Sequence, residues 1–362
     1  MNKRELFINE KIGQRFIFGI NDSNIESIIK LIKNYSIGGV VLYKKNYNSY
    51  KEMIDVINRL KDANKNNSVP LFITIDQEGG IVNRLPKEIH NLKNIYEVSK
   101  HDYDLVDDYA SIIGNILHDS GINMNLAPVL DIYNNSKSKV LDKRCFYGNG
   151  NDVYKCGLRY TKGLENNKVI PVIKHFPGHG VSKMDSHLIL PIVFNYHKIL
   201  DKHIKPFEKL IKDDVPVIMI GHIIIRKLTN LLPASISNNF ILKYLRNKYN
   251  YNGLIMTDEI NMMKKHLLYR YTYINKVLKS DNDLILIKIK NVNEGIKIIN
   301  KYKNILKDNQ EYNNKLDIYV NRIIDIKNKY GINDKINNND IDINKINEEI
   351  DMLNNKVIKN NK

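Results

Sequence analysis

Three histidines, two lysines and an aspartate that can carry out acid–base chemistry fall within the fourteen residues from Lys174 to His187. Most of them lie in Lys174–Gly180 and in Asp185-Ser186-His187. They follow the apolar run Val169–Ile173. A buried strand that ends in polar, glycine-flanked residues is typical of an active-site loop on a parallel sheet. Asp185 and His187 are two positions apart, so a turn can bring the carboxylate to the imidazole. That pairing would orient the ring for proton transfer near neutral pH.

A metal site is the alternative for the same residues, because imidazole and carboxylate are ligands of zinc. Lys174 is a poor neighbour for a cation, however, and Gly178 and Gly180 interrupt any helical face that would present two histidines together. We therefore expect no metal and no other cofactor.

Short apolar runs recur along the chain with helix-periodic stretches between them, as in Ile25, Ile28, Ile29 and Ile32. Most of the runs are continuously apolar, which is typical of parallel strands covered on both faces. We predict eight strands, at Phe16–Ile20, Gly39–Tyr43, Leu71–Asp76, Met124–Asp131, Ile170–His175, Val215–His222, Gly253–Asp258 and Leu284–Lys288. This pattern predicts an α/β fold, a single-domain (β/α)8 TIM barrel. The alternative is an open doubly wound sheet, but no GxGxxG or P-loop motif stands at a strand end.

Polar residues follow five of the predicted strands. They are Asp76-Gln77-Glu78, Asp131, Lys174-His175, Gly221-His222 and Thr257-Asp258-Glu259. Because catalytic groups of barrels lie at the carboxyl ends of the strands, we expect these clusters to meet on one face.

Composition limits the classes of function. The formal net charge is +16, but the lysines are scattered and no nucleic-acid motif is present, so we expect a basic surface and no nucleic-acid partner. No apolar run reaches the ~18 residues of a membrane span, and we expect no membrane partner. The two cysteines, Cys145 and Cys156, indicate no disulfide framework. We expect a cytoplasmic monomer.

The amino-acid composition of the chain changes near Gly331. We predict a catalytic barrel over residues 1–331 and a low-complexity tail over 332–362. Ile346, Ile350 and Leu353 leave room in that tail for one amphipathic helix packed on the barrel.

Four blocks of residues together form a recognisable pattern. They are Asp76-Gln77-Glu78-Gly79-Gly80 with Arg84-Leu85, Ala127–Asp131 with Arg144-Cys145-Phe146, Lys174–His187, and Pro233–Ser237 with Gly253–Asp258. In their residues and their order, between about Lys11 and Tyr330, they resemble the NagZ-type, single-domain β-N-acetylglucosaminidases of glycoside hydrolase family 3.

The resemblance implies that Asp258 is the nucleophile of a retaining glycosidase and forms a covalent glycosyl-enzyme. It implies that His187 is the general acid and base, oriented by Asp185. Its implied sugar-binding residues are Asp76, Arg84, Arg144, Lys174 and His175. His179 and His222 are expected to support the loops, and Glu78 to occupy a structural turn.

The expected function is an exo-β-N-acetylglucosaminidase, that is, a β-N-acetylhexosaminidase, which removes terminal β-linked GlcNAc. Its expected substrates are small carbohydrates, above all GlcNAc-(anhydro)MurNAc fragments of peptidoglycan. Two alternatives remain open: a β-N-acetylglucosaminide phosphorylase on the same scaffold, and a degenerate, non-catalytic sugar-binding protein.

Overall fold

A computed structural model describes residues 6–20, 25–133, 141–181, 190–265, 272–307, 309–337 and 341–360. These residues contain strands at Phe16–Ile20 (β1), Gly39–Leu42 (β2), Phe72–Ile75 (β3), Met124–Asn125 (β4), Ile170–Phe176 (β5), Ile192–Val193 (β6), Val217–Ile220 (β7), Ile224–Ile225 (β8), Leu254–Thr257 (β9) and Ile285–Ile289 (β10).

Eight of the strands form one parallel sheet in the order β10-β1-β2-β3-β4-β5-β7-β9. The two ends of this order meet through a parallel bridge between Met256 and Leu284, where the N–H of Thr257 donates to the carbonyl of Leu284 at 3.1 Å. The prediction of a (β/α)8 barrel is therefore confirmed.

The fourth strand is shorter than predicted. Only Met124–Asn125 is regular, because the N–H of Ala127 turns back to the carbonyl of Asn125 and Pro128 has no N–H to donate. The chain then runs irregularly beside β5, with a bridge between Val129 and Lys174. The small parallel pair β6–β8 lies outside the barrel sheet and was not predicted.

Helices follow the strands around the barrel. They are Ile8–Gln14 (α1), Glu26–Tyr35 (α2), Tyr50–Asn64 (α3), Ile95–His101 (α4), Asp104–Ser120 (α5), Gly150–Asn166 (α6), Tyr196–Lys198 (α7), Lys205–Lys212 (α8), Asn238–Phe240 (α9), Tyr273–Leu278 (α10), Val292–Lys307 (α11), Gln310–Lys329 (α12) and Ile343–Asn360 (α13). The short helices α7 and α9 continue as π-helices over Ile199–His203 and Ile241–Lys248. None of the helices in the described ranges is long and apolar enough to cross a bilayer.

Local sequence explains these helices. In α3, for example, the Ser49 hydroxyl accepts a hydrogen bond from the N–H of Glu52 at 3.1 Å and caps the first turn. Met53, Ile57 and Leu60 recur at helical spacing on its buried face.

Side chains from alternating strand positions fill the interior of the barrel. They are Ile17, Val41, Phe72, Met124, Ile170, Val172, Val217, Met219, Leu254, Met256, Leu284 and Leu286. Ile323 and Ile326 of α12 close this interior from the amino-terminal ends of the strands.

The last helix packs on the barrel. Ile350, Leu353 and Val357 of α13 are buried, and Lys356 pairs with Asp108 of α5 at 3.1 Å. The division into a barrel and a tail at residue 331 stays a prediction.

A buried arginine holds β10 beside β1. Arg15 lies between α1 and β1, and its guanidinium donates to the carbonyl oxygens of Leu278 at 3.2 Å, Ser280 at 3.1 Å and Asn282 at 2.5 Å. Its charge also lies 4.4 Å from the centre of the Tyr319 ring. These contacts anchor the chain just before β10, where the barrel closes.

We expect Arg15→Met to lower the free energy of unfolding by about 3 kcal/mol, because three buried carbonyl oxygens lose a charged donor. Denaturant unfolding at neutral pH measures this. The matched control is Arg59→Met, which removes a half-exposed arginine that pairs with Glu26 on the surface, and which should cost under about 1 kcal/mol. Equal losses in both variants would contradict the role given to Arg15.

Candidate active site

The polar clusters predicted at the strand ends do converge. Asp76 follows β3, Lys174 and His175 lie at the end of β5, and Asp258 follows β9. Contacts between these clusters cross the carboxyl-terminal mouth of the barrel, so this face is the candidate active site.

Lys174 joins two of the clusters. Its ammonium Nζ lies 2.6 Å from Oδ1 of Asp76 and 2.6 Å from Oε1 of Glu78, and only 3% of its side chain is exposed. Arg144 binds the same Glu78 in a bidentate pair, through Nε and Nη2, both at 2.8 Å. Burial alone would raise the pKa of Glu78, but Arg144 and Lys174 outweigh burial and hold that pKa well below its usual range. Glu78 is therefore an ionised carboxylate that positions two cations.

Asp131 organises the two histidines after β5. Its Oδ2 lies 2.7 Å from Nδ1 of His175, and its Oδ1 accepts from the backbone N–H of His179 at 2.5 Å. Asp131 is fully buried, and His175 and His179 overcome the effect of burial to lower its pKa. Burial lowers the pKa of His179 to about 4, so this ring is neutral at pH 7. His179 thus has the supporting position expected for it.

His222 is held from both ring nitrogens. Its Nδ1 lies 2.6 Å from the Ser235 hydroxyl, and its Nε2 lies 3.0 Å from the carbonyl oxygen of Glu259. The carbonyl can only accept, so Nε2 carries a proton and donates it to the carbonyl. His222 therefore connects the loop after β7 to the loop that carries Asp258.

Asp258 is partly buried and ionised. Burial raises its pKa, but His175, His222 and the backbone N–H of Glu259 together outweigh burial and lower it. That N–H donates to Oδ1 of Asp258 at 2.7 Å. A carboxylate kept in its charged form beside imidazoles is suited to nucleophilic attack.

Glu259, the neighbouring carboxylate, has a different environment. Its Oε1 accepts from the backbone N–H groups of Asn261 and Lys288, both at 3.0 Å, and burial raises its pKa. Its side chain thus connects the loop that carries Asp258 to β10.

Arg84 differs from the other cationic residues implied to bind sugar, because its guanidinium has no carboxylate partner among the described residues. Its backbone is fixed, because its N–H donates to Oε1 of Gln77 at 2.7 Å and its carbonyl accepts from the Tyr47 hydroxyl at 3.0 Å. Within the described ranges its guanidinium forms no ion pair, and its buried Nε has no hydrogen-bond partner. By contrast, Arg144 and Lys174 already pair with protein carboxylates.

Asp185 and His187 lie outside the described residues, so their proposed pairing stays a prediction. Among the described residues, no group of three or more histidine, cysteine, aspartate or glutamate side chains could hold a metal ion.

Two residues have larger structural roles than the sequence suggested. Glu78 was expected only to occupy a turn. Its position two residues after Asp76, at the end of the same strand, nevertheless indicated that it would lie close to the site. Asp131 was placed at a strand end without a role. Their partners Arg144 and His175 are 66 and 44 residues away along the chain, so the pairings required the fold.

A family model described as "Glycosyl hydrolase family 3 N terminal domain" matches residues 7–326. The chain belongs to glycosyl hydrolase family 3. This confirms the family and the class of glycoside hydrolases that the sequence motifs predicted.

Individual family 3 proteins are similar to this chain. It is 34% identical over 253 residues to "Beta-hexosaminidase A" of Pseudoalteromonas piscicida, in an alignment that covers 64% of this chain and 42% of that protein. It is 30% identical over 245 residues to "Beta-hexosaminidase" of Methylobacillus flagellatus, covering 65% and 68% of the two chains. The chain thus spans less than half the length of the first of these relatives.

A solved structure shows the same fold. The glycoside hydrolase family 3 beta-N-acetylglucosaminidase from Paenibacillus sp. superposes with a TM-score of 0.87 at 27% identity, over 96% of this chain and 68% of that chain.

We expect Glu78→Gln to lower the free energy of unfolding at pH 7 by about 3 kcal/mol, because Lys174 and Arg144 remain buried without their shared counter-charge. The folded-state pKa of Glu78 lies below its ordinary value of 4.5, so the stability it contributes is complete above that pH and is lost as the pH falls below it. The variant should therefore lose less stability than the wild type between pH 7 and pH 4.

Denaturant unfolding at the two pH values measures both effects. Glu348→Gln, at an exposed position of α13, is the matched control and should behave as the wild type does. A wild-type slope retained in Glu78→Gln would contradict the assignment.

Proposed function

We propose that this chain is a retaining exo-β-N-acetylglucosaminidase with Asp258 as its nucleophile. The observation that supports this most is the position of Asp258, directly after β9 at the mouth of the barrel, where the nearby His175 and His222 favour its ionised form. The names of its relatives, beta-hexosaminidase and beta-N-acetylglucosaminidase, agree with this activity.

In the proposed reaction, Asp258 attacks the anomeric carbon while His187 protonates the leaving oxygen, which yields a glycosyl-aspartate intermediate. His187, now neutral, then takes a proton from water as the water attacks the same carbon and releases the aspartate. Asp185 orients the imidazole for both steps. The configuration of the sugar is retained because two displacements occur on that carbon.

Sugar recognition is assigned to five other polar residues at the mouth. Asp76 can accept from sugar hydroxyls, and Arg84, Arg144, Lys174 and His175 can donate to them. The bidentate pair with Glu78 fixes Arg144, so its guanidinium is positioned before the sugar binds.

The proposed substrates are GlcNAc-(anhydro)MurNAc fragments. The net charge of +16 supports this choice, since such fragments carry carboxylates that a basic protein attracts. We also propose a reducing, cytoplasmic location and a monomer; Cys145 and Cys156 are free and buried, in agreement with the location.

We expect Asp258→Ala to abolish hydrolysis of p-nitrophenyl β-N-acetylglucosaminide. Azide should restore release of nitrophenol and give the α-glycosyl azide, because the small anion attacks from the side that the carboxylate occupied. Absorbance and proton NMR of the product measure these outcomes. Glu259→Gln is the matched control and should remain active, since its amide oxygen still accepts from the two backbone N–H groups.

A β-azide, failure of azide to rescue Asp258→Ala, or loss of activity in Glu259→Gln alone would contradict the nucleophile assignment. The wild-type assay is repeated with inorganic phosphate. Formation of a sugar 1-phosphate would replace hydrolysis by phosphorolysis, and binding of GlcNAc without any turnover would indicate a sugar-binding protein.

We expect His187→Ala to reduce kcat/KM for chitobiose by about 100-fold or more, because a sugar alkoxide cannot leave without a proton. The loss with the p-nitrophenyl substrate should be much smaller, since nitrophenolate leaves unprotonated. Parallel kinetics on the two substrates measure the difference. His118→Ala, at an exposed site on α5, controls for loss of any histidine. Equal losses on both substrates would rule out general acid catalysis by His187.

A further inference from the structure

Tyr43 is a part of the mouth of the barrel to which the sequence motifs assign nothing. It follows β2 directly, and its backbone is fixed by Asn46, whose side-chain oxygen accepts from the N–H of Tyr43 at 2.7 Å. The N–H of Asn46 donates in turn to the carbonyl of Tyr43 at 2.9 Å. The position of this residue is therefore set by a closed local turn.

The Tyr43 ring lies across β1 and is covered by β10. A Cβ added to Gly19 would lie 2.6 Å from Cε2 of Tyr43 and 3.1 Å from its hydroxyl, so the ring occupies the space that this glycine leaves open. Lys288, the register partner of Gly19 on β10, places its ammonium 4.9 Å from the ring centre. The ring also packs against the side chains that fill the barrel interior.

The phenol of Tyr43 lies close enough to several charged residues of the candidate active site to feel their electrostatic effect. Burial is the largest cause of a strongly raised pKa for this phenol, and the carboxylates of Glu259, Asp76 and Asp258 raise it further, while Arg84 lowers it. The phenol is therefore protonated near neutral pH and can donate a hydrogen bond. It makes no hydrogen bond within the described part of the chain, and it is not sealed from solvent.

We infer that Tyr43 is a substrate-binding residue whose hydroxyl donates a hydrogen bond to the sugar held between Asp76, Arg84 and Asp258. The ionised carboxylates of Asp76 and Asp258 can only accept, and Arg84 donates as a cation, so the Tyr43 hydroxyl adds a neutral donor. A neutral donor here serves an acceptor oxygen of the sugar, a ring hydroxyl or the acetamido carbonyl. The inference rests on the proposed function, because it concerns the same sugar.

Tyr43→Phe tests this with little disturbance, because the ring, its packing on Gly19 and its contact with Lys288 are retained. We expect kcat/KM for p-nitrophenyl β-N-acetylglucosaminide to fall about five- to tenfold, the effect of one neutral hydrogen bond. The Kd of free GlcNAc, measured by calorimetry, should rise by a similar factor. The thermal midpoint should stay at the wild-type value.

Tyr330→Phe is the matched control. Tyr330 packs against the same barrel interior from the opposite end, and its hydroxyl contacts Glu165 at the base. This variant should keep wild-type kcat/KM and GlcNAc affinity.

Unchanged kinetics and affinity in Tyr43→Phe, with an active wild type, would overturn the inference and leave the proposed function standing. A loss in kcat/KM that matches a loss in thermal midpoint, without weaker binding of GlcNAc, would also overturn it by showing a structural role. A wild-type protein that neither hydrolyses nor binds the sugar would overturn the proposed function, and the inference with it.

Discussion

The ammonium of Lys174, shared between Asp76 and Glu78, is the interaction on which the arrangement of the active site depends. Removing three charges from water is costly unless each finds its partner with good geometry. Lys174 comes from β5 and the carboxylates follow β3, so the pairing spans the intervening β4. Arg144 completes it from a separate loop. Because each buried charge must be paired, these contacts fix the relative positions of the ends of β3 and β5 and of the loops that carry Glu78 and Arg144.

Side-chain hydrogen bonds add to the backbone bonds at this face. After the two regular residues of β4 the chain still exchanges backbone hydrogen bonds with β5, as between the N–H of Lys174 and the carbonyl of Pro128 at 3.1 Å. The carboxylate of Asp131 in addition holds the His175 ring and the N–H of His179. The Ser235 hydroxyl holds the His222 ring in a comparable way, and His175 and His222 help to keep Asp258 ionised.

The opposite face of the barrel serves stability. Arg15 anchors the entrance of β10, and the ammonium of Lys327 donates to Gln14 at 2.9 Å and to the carbonyl oxygens of Gly38 at 2.9 Å and Pro70 at 2.6 Å. These cations bind carbonyl oxygens that already belong to the scaffold. The cations of the carboxyl-terminal face lie among the carboxylates of the site instead. In barrels of this architecture the amino-terminal face typically contributes to stability, whereas the carboxyl-terminal face carries the active site.

The sequence by itself determined the architecture, because continuous apolar runs separated by helix-periodic stretches admit few arrangements other than a parallel barrel. It also located the site, since the polar clusters stand directly after those runs, and the motifs around Asp76, Lys174 and Asp258 identified the family. Only the tertiary structure decided which groups pair. Glu78 with Arg144, Asp131 with His175, and Tyr43 with Gly19 and Lys288 are contacts between distant segments. Hydrophobic periodicity predicts the structure of one segment at a time. Which charges pair depends instead on which strand ends lie within a few ångströms of each other once the sheet has closed.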